Sequence, residues 1–416
     1  MKQRLFTRNF AFLISGQISS LMGNYALKFA LSMYVLEQTG SAGIFAGLLA
    51  LSMLPTILLS PLGGILADRA NRRNIMVGLD LLSGLFVLAA GLILSSGLLP
   101  SSGGDLSLIG ALLIILSVLA AFESPTVQAC VPQMLSGDNL LKGNALVSQV
   151  SAVSGLIAPF LGSLLYSAVG ILPVLWAAAA CFFLTALLEC FIRLNYQPPQ
   201  KAPGLLSVIR EDFSDSMRFL RRKEPDILKL LLLAALVSLF VAGTTVVGFP
   251  YLVRTVLGLS PEYYGAAESA MGLSAILGTL SVALLAGKFL PRHLAAVFVS
   301  FGLCLIPSGL AFLLPLGTLS RYFVLLIMFC ASQLGCCIFS TYAITLVQGR
   351  TPQQLMGKVM AYVYTLSMCA QPLGQLMYGA LFDLFSASPY WVLIPSGLVV
   401  SAIGLASVRF FRRLEG

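Results

Sequence analysis

Residues 63–73 read GGILADRANRR and concentrate charge in a chain that carries little of it. Asp68, Arg69, Arg72 and Arg73 follow one another closely after a long apolar run, whereas only 10% of the 416 residues are charged. An acid and three arginines beside an apolar run need a physical reason. That reason depends on whether the flanking runs cross a membrane.

The composition is that of a membrane protein. Hydrophobic residues make up 58% of the chain and the mean hydropathy is +0.93, far from the roughly half-apolar, quarter-charged average of soluble domains. Apolar runs of about 20 residues, enough to cross about 30 Å of hydrocarbon as a helix, recur along the chain. We predict an all-α polytopic protein with twelve transmembrane helices. Their predicted starts are Asn9, Ser41, Asn74, Leu106, Asn144, Ile171, Ile227, Ser260, Leu294, Arg321, Lys358 and Tyr390.

The distribution of lysine and arginine predicts the orientation. With the N-terminus inside, nearly all of them fall in cytoplasmic segments, and only Arg254 and Arg321 fall outside. The first apolar stretch continues to Leu36, which is too long for a signal peptide, so we expect it to be the first span. Both termini are therefore expected in the cytoplasm of a bacterial cell, with the protein in the inner membrane. The net charge of +9 follows from topology, and we expect no nucleic-acid partner.

The one long connection divides the chain into two similar halves. Arg193 ends the sixth span as Arg409 ends the twelfth, and Pro159 and Pro372 occupy matching depths in the fifth and eleventh. We predict two pseudo-symmetric six-helix bundles, residues 1–195 and 227–416, with a binding site between them near the middle of the membrane.

The connection itself, residues 196–226, is predicted to be a cytoplasmic amphipathic linker. Its apolar stripe, at helical spacing, comprises Leu205, Ile209, Phe213, Met217 and Leu220. A helix of this kind lies on an anionic inner leaflet. We favour a strap between the halves over a regulatory partner site.

The charged stretch falls in the short cytoplasmic connection between spans two and three. Gly64 would let the end of the second helix approach a helix of the other half. Asp68 would then face that helix's N-terminus, whose dipole favours an anion by about 0.3 to 2 kcal/mol. Such a contact forms only when the cytoplasmic side is closed, so it is a latch on one state. The alternative, arginines that serve only topology, explains Arg72 and Arg73 but not the acid.

This stretch resembles motif A of the major facilitator superfamily, G-x-x-x-D-R-x-G-R-R/K, and the resemblance extends over the whole chain. The matching residues are Gly64, Asp68, Arg69, Arg72 and Arg73. Asn71 replaces the second glycine, and asparagine is among the few residues that tolerate a left-handed turn.

The fifth span resembles a degenerate form of the family's antiporter signature, G-x-x-x-G-P-x-x-G-G. The corresponding residues are Ser154, Ala158, Pro159, Gly162 and Ser163. Small residues permit close helix packing and the proline bends the helix. The fourth span lacks the arginine of many proton-coupled members, so their coupling mechanism does not transfer simply.

Three sequence segments indicate a branch of the family. The segments SGQISSLMGNYALKFALSMYVLEQTGSA, LADRANRRNIMVGLD and VPQMLSGDNLLKGNAL resemble bacterial macrolide-efflux-type drug:proton antiporters. Lysophospholipid and siderophore transporters share much of this outline. The resemblance implies a cofactor-free monomer in the lipid bilayer that exports an amphipathic, drug-like or macrolide-like small molecule in exchange for protons.

Ionisable side chains at membrane depth are functional candidates, because each costs at least a few kcal/mol there. They are Lys28, Asp80, Glu123 and Glu268. For Asp80 we favour pairing with a motif arginine, for Lys28 a place in the cavity, and for Glu123 both pairing and proton or substrate handling remain open. Helix depth argues against a direct Lys28–Glu123 pair. Candidate neutral cavity liners are Gln17, Asn24, Gln149, Gln333, Gln371 and Gln375.

Other function classes lack the residues they need. His293 is the one histidine, no H-E-x-x-H or G-x-x-x-x-G-K-S/T motif occurs, and no cysteine pair has metal-ligand spacing. We therefore expect no enzyme, no ATP-driven pump and no metal site. A non-transporting membrane sensor on the same scaffold is the remaining alternative of another class.

Overall fold

The computed structural model describes residues 6–97, 103–135, 138–194, 225–284, 291–351 and 356–414, which form helices and their connections with no strand among them. The long helices are α1 Arg8–Thr39, α2 Ala42–Arg69, α3 Arg72–Ser96, α4 Gly104–Met134, α5 Asp138–Val169, α6 Ile171–Cys190, α7 Pro225–Val241, α8 Pro261–Leu284, α9 His293–Leu313, α10 Thr318–Arg350, α11 Met356–Leu384 and α12 Tyr390–Ala406. The short α13, Val408–Arg413, follows. The predicted linker helix lies outside the described residues.

The seventh helix is irregular. After α7 the chain continues through a π-helical turn, Ala242–Gly248, a short α-helical piece, Phe249–Tyr251, and a second π-helical turn, Leu252–Val256. Thr244 donates to the carbonyl of Phe240 from within this segment, at 2.7 Å. Such widened turns leave the ordinary i to i−4 ladder locally and are often found at functional sites.

Nine helical stretches of the described residues are long and apolar enough to cross a membrane, by length and composition. Apolar side chains also remain on their outer surfaces, as at Leu58 (70% exposed) and Leu384 (74% exposed), which suits helices that face lipid. The predicted all-α membrane fold is confirmed, and the full count of twelve spans stays a prediction. Most predicted starts fall within a few residues of a helix start; α5 begins earlier than expected, at Asp138.

The chain forms two compact units that do not follow the midpoint strictly. The first unit comprises Met1–Thr39, Leu51–Lys201 and Ser260–Ser269, and the second comprises Gly40–Ala50, Ala202–Leu259 and Ala270–Gly416. Two helices are therefore shared. The start of α2 belongs with the second unit, and the start of α8 belongs with the first.

Small residues set the packing of α1 in the first unit. A side-chain carbon at Gly23 would lie 2.8 Å from Cβ of Cys181 on α6, and one at Gly162 on α5 would lie 2.9 Å from Cα of Ala26. Real carbon atoms do not approach so closely, so both glycines are required for this helix spacing. The apolar core at one end of the same unit includes Phe10, Leu13, Met76, Val131 and Ile192.

The second unit is centred on aromatic side chains. Phe298 and Phe339 meet edge to face with ring centroids 5.7 Å apart, and Phe339 meets Phe411 in the same way at 6.4 Å. All three side chains are buried. These contacts tie α9, α10 and α13 together, and edge-to-face geometry adds about 0.5–1.5 kcal/mol per pair beyond burial.

Candidate functional site

Three carboxyl side chains and one hydroxyl meet inside the first unit. Ser20 of α1 has its Oγ 3.2 Å from Oδ1 of Asp80 on α3 and 3.3 Å from Oε1 of Glu123 on α4. Glu189, in the last turn of α6, interacts with both acids and lies within hydrogen-bonding reach of Asp80. We call Ser20, Asp80, Glu123 and Glu189 the acidic cluster.

Most of the acidic cluster is closed off from solvent, and Glu123 is its one partly buried member. Asp80 and Glu189 are both 0% exposed, and Ser20 is 2% exposed. Gly16 lies opposite Glu189, and a side-chain carbon there would be in ordinary contact with its Cγ, at 3.6 Å. Thr185, one turn before Glu189, donates to the carbonyl of Gly16 at 3.1 Å and holds α6 against α1. The helix packing therefore buries the acids.

The acidic cluster has more acceptor atoms than donors. Oδ2 of Asp80 and both carboxyl oxygens of Glu189 are buried without a hydrogen-bond donor among the described residues. Two ionised carboxylates only repel, so Asp80 and Glu189 can bond to each other only if one of them carries a proton. Glu189 also faces the negative end of its own helix dipole, which disfavours its ionised form. The geometry suits a site that holds at least one proton.

Lys28 acts on this site through space. It attracts Glu123 electrostatically, and its side chain is exposed although α1 is largely buried around it. Gln17, one turn before Ser20, is 6% exposed, and its Nε2 has no hydrogen-bond partner among the described residues. A cation and an unused amide donor therefore lie on the same helix as the hydroxyl of the acidic cluster.

The motif arginines bind backbone carbonyls. Arg72 donates from Nε to the carbonyl of Ala67 at 2.8 Å and from Nη1 to that of Ala129 at 2.9 Å. Arg73 donates to the carbonyl of Cys190, beside Glu189. Ala67 and Cys190 lie in the last turns of α2 and α6, where a guanidinium group satisfies free carbonyls and complements the dipole. Among the side chains that the structure describes, neither Asp80 nor Glu123 contacts an arginine.

The predicted latch depends on Gly64, Asp68 and Arg69, whose surroundings lie outside what the structure describes. The neighbouring Gly63 packs against the backbone of Ala121 and Phe122 on α4, so this end of α2 does make a close helix contact.

Asn71 requires a correction. Its backbone is extended, with φ −68° and ψ 109°, and its side chain accepts a hydrogen bond from the N–H of Arg73 at 3.1 Å. The left-handed turn that the motif comparison suggested is therefore wrong at this position. An asparagine at the N-cap of α3 needs an extended backbone to reach that N–H.

The antiporter-like residues lie on the packed side of α5. Ser154, Ala158 and Ser163 are each no more than 3% exposed, and Gly162 meets α1 at Ala26. The start of α8 packs here too, since Gly265 lies against Ser163 and the carbonyl of Pro159. In this structure the signature serves helix packing.

The other candidates are dispersed. Glu268, beside Tyr264 at the start of α8, has a buried Oε2 without a hydrogen-bond partner among the described residues. Gln375 is buried in the second unit. Neither its Oε1 nor Oδ1 of Asn24 has a hydrogen-bond partner in the described part of the chain. Gln149 is exposed, whereas Gln333 and Gln371 are partly buried.

The sequence profile of the Major Facilitator Superfamily matches residues 13–375. The chain belongs to the Major Facilitator Superfamily. The resemblance predicted from motif A is thereby confirmed. As a member of the superfamily, the protein is a multi-pass membrane transporter and not an enzyme.

Two relatives of known role cover nearly the whole chain. Macrolide efflux protein A of Streptococcus pyogenes is 26% identical over 410 residues, which is 96% of each chain. Multidrug efflux pump Tap of Mycobacterium bovis (strain BCG / Pasteur 1173P2) is 25% identical over 396 residues, 90% of this chain and 87% of its own. Efflux pumps are thus among the superfamily members that this chain is similar to.

A solved structure shares the fold. A bacterial homologue of the iron transporter ferroportin, crystallised in an inward-facing state, superimposes with a TM-score of 0.72 over 98% of this chain and 99% of that one, at 19% identity. At that identity the likeness concerns the fold alone. Among the described residues of this chain, no group of three or more histidine, cysteine, aspartate or glutamate side chains is arranged to hold a metal ion.

Proposed function

We propose that this transporter exports amphipathic, drug-like or macrolide-like small molecules across the bacterial inner membrane by alternating access, in exchange for protons. The acidic cluster is the observation that supports exchange for protons. Asp80, Glu123 and Glu189 bring three carboxyl groups together in a largely buried site with one hydroxyl donor, Ser20. Carboxyl groups this close cannot all be ionised in a dry site, so the site binds and releases a proton as its surroundings change.

Glu123 is the acid that we place at the centre of coupling. It interacts with Ser20, with the other acids and with the positive charge of Lys28. A rearrangement of α1 relative to α4 would change its distance from both Ser20 and Lys28. Such a movement alters how strongly Glu123 holds a proton, which links proton release to the conformational cycle.

The efflux relatives support the substrate part of the proposal. Both are similar to this chain over most of their length, and their names place them among macrolide and multidrug efflux proteins. At about a quarter identity they support a class of substrate, and the individual compound has to be found by experiment. Lysophospholipids and siderophores are the alternative cargo for the same fold.

The experiment uses purified protein in liposomes with an imposed pH gradient, and a cationic drug, a macrolide and a lysolipid as probes. We expect gradient-driven transport of at least one probe. Glu123→Gln should abolish the gradient-driven mode and leave exchange or downhill movement of the same probe, because the amide keeps the shape of the site but carries no exchangeable charge.

The matched control is Asp105→Asn on the same helix. Asp105 accepts a hydrogen bond from Tyr34 at 2.9 Å and lies far along α4 from Glu123, so the control should keep both modes. Gradient-driven transport that survives in Glu123→Gln would refute the coupling role, as would equal slowing of both modes. Folded protein that moves none of the three probes would favour the sensor alternative.

A further inference from the structure

The first turn of α2 is held by an acid from a distant part of the chain. Asp383, in the last turn of α11, accepts hydrogen bonds from Oγ of Ser41 at 2.6 Å, from N–H of Ala42 at 2.7 Å and from N–H of Gly43 at 2.9 Å. Ser41 in turn accepts from N–H of Ile44 at 3.1 Å. These contacts lie within the second unit. Together they satisfy the free N–H groups with which a helix begins.

Glycines allow α11 and the start of α2 to come close enough for this contact. A side-chain carbon at Gly43 would lie 2.6 Å from Oδ2 of Asp383, so the carboxylate reaches the backbone only because Gly43 has no side chain. A side-chain carbon at Gly379, one turn before Asp383, would lie 2.5 Å from Cβ of Ala46 and 2.9 Å from the carbonyl oxygen of Ala42. Tyr251 is a titratable group that interacts with Asp383.

The acid is poorly placed unless α2 is present. A carboxylate in the last turn of a helix faces the negative end of that helix's dipole, whereas at the first turn of another helix it is stabilised. Asp383 lies in the last turn of α11, where the dipole disfavours it, and at the first turn of α2, where the dipole favours it. Its interaction with α2 therefore offsets an unfavourable position in its own helix.

We propose that Asp383 and the first turn of α2 form an outer latch, a contact that is made when the outer face of the transporter is closed and broken when it opens. By the predicted topology, α2 begins and α11 ends at the outer face. Alternating access requires that the two six-helix halves part at one face at a time. Asp383 belongs to one of the two predicted halves and Ser41, Ala42 and Gly43 to the other, so in this proposal they separate when the outer face opens although they lie in one compact unit here.

The outer latch gives the predicted inner latch a counterpart on the same two helices. Asp68 ends α2 and is expected to face the start of a helix in the other half, while Asp383 ends α11 and caps the start of α2. With α11 as the partner of Asp68, each helix would end in an aspartate that caps the other. Only one of the two contacts would be made at a time, so their balance sets the ratio of the two states.

The test measures distance in lipid nanodiscs and needs no substrate, so it is independent of the proposed function. Spin labels are attached to cysteines at Ile44 and Leu384, which are 49% and 74% exposed, in a background without the native cysteines. Asp383→Ala and Gly43→Ala should each raise the ratio of separated to adjacent label populations by about 2- to 30-fold, the effect of losing a helix cap. Asp68→Asn should shift the ratio the opposite way.

The matched control is Gly47→Ala, one turn further along α2, where a side-chain carbon would meet nothing within 4 Å. It should leave the distances unchanged. Distances in Asp383→Ala and Gly43→Ala that equal those of the parent would overturn the proposal, and so would an equal shift in Gly47→Ala. If Asp383→Ala does not fold, Asp383→Asn and Gly43→Ala carry the same test.

Discussion

Glu189 shows how a single side chain can escape a reading of the sequence. It lies near the end of an apolar run and four residues before Arg193, where an acid is easily taken for a surface residue. In the structure it is 0% exposed and faces Asp80. The available signal was its place inside the predicted sixth span, which Arg193 ends, since an acid at membrane depth is a functional candidate there as it is for Asp80 and Glu123.

Glu189→Gln separates the stability of the protein from its function. The amide has the shape of the carboxyl group and removes a like charge, so the thermal unfolding temperature should stay within about 2 °C of the parent or rise. Gradient-driven transport should fall at least tenfold, because Asp80 loses the partner with which it shares a proton. Thermal unfolding in detergent and transport in liposomes measure the two effects.

Two results would contradict this prediction. Full gradient-driven transport in Glu189→Gln would show that the third acid is dispensable. A large loss of stability would show that Glu189 is ionised and structurally required. Asp105→Asn serves again as the control, since Asp105 is bonded to Tyr34 outside the acidic cluster.

The sequence predicted that some acids lie at membrane depth, but not which residues surround them. Membrane depth alone marked Asp80 and Glu123, and both lie in the acidic cluster. The expected arginine partner of Asp80 is not found among the described side chains, because Arg72 and Arg73 bind helix-end carbonyls instead. Sequence gives the depth of a residue along its helix, but the facing side of each helix depends on packing against several others.

At the level of helices, α1 is positioned by small residues on its neighbours. Gly162 on α5 meets Ala26, and Gly16 and Gly23 of α1 itself meet α6. The antiporter-like pattern of α5 predicted such close packing but not which helix would be its partner. Small-residue patterns specify a flat surface, and many helices in a bundle could fit against it.

Gly162→Val should loosen this packing. Its side-chain carbon would lie 2.9 Å from Cα and from the carbonyl oxygen of Ala26, so α5 and α1 would have to move apart. We expect a loss of about 1–3 kcal/mol in the free energy of unfolding, measured as a lower thermal unfolding temperature in detergent.

The same helix provides the control for that change. A carbon at Gly155 would lie 3.8 Å from the ring of Tyr25, which is an ordinary contact, so Gly155→Ala should leave the unfolding temperature almost unchanged. Equal effects of the two substitutions would mean that helix propensity, and not the approach to Ala26, governs this helix.

For the whole molecule, the predicted topology can be tested in intact cells. A single cysteine at Ser214, in the linker, should resist membrane-impermeant thiol reagents, because the positive charge of that segment predicts a cytoplasmic location. A cysteine at Ser386, in the connection that follows α11, should react readily. Equal labelling of the two positions would overturn the twelve-span count.

Much of the whole fold follows from hydropathy. Apolar runs located most helix starts within a few residues, because a helix that crosses lipid must satisfy its backbone internally and cover a fixed thickness. The division into two compact units could not be predicted from hydropathy. Gly40–Ala50 and Ser260–Ser269 each group with the unit of the opposite half, and that exchange depends on contacts such as those of Asp383 with Ala42 and Gly43.

This exchange of segments has a consequence for biosynthesis. The ribosome makes the start of α2 early, yet the acid that caps it is 342 positions further along the chain from Ser41. A first half released alone would lack this cap and present free N–H groups at Ala42 and Gly43, which lowers the stability of α2. We therefore expect residues 1–195 and 227–416, expressed as separate polypeptides, to escape degradation only when they are produced together, and their co-purification would show it.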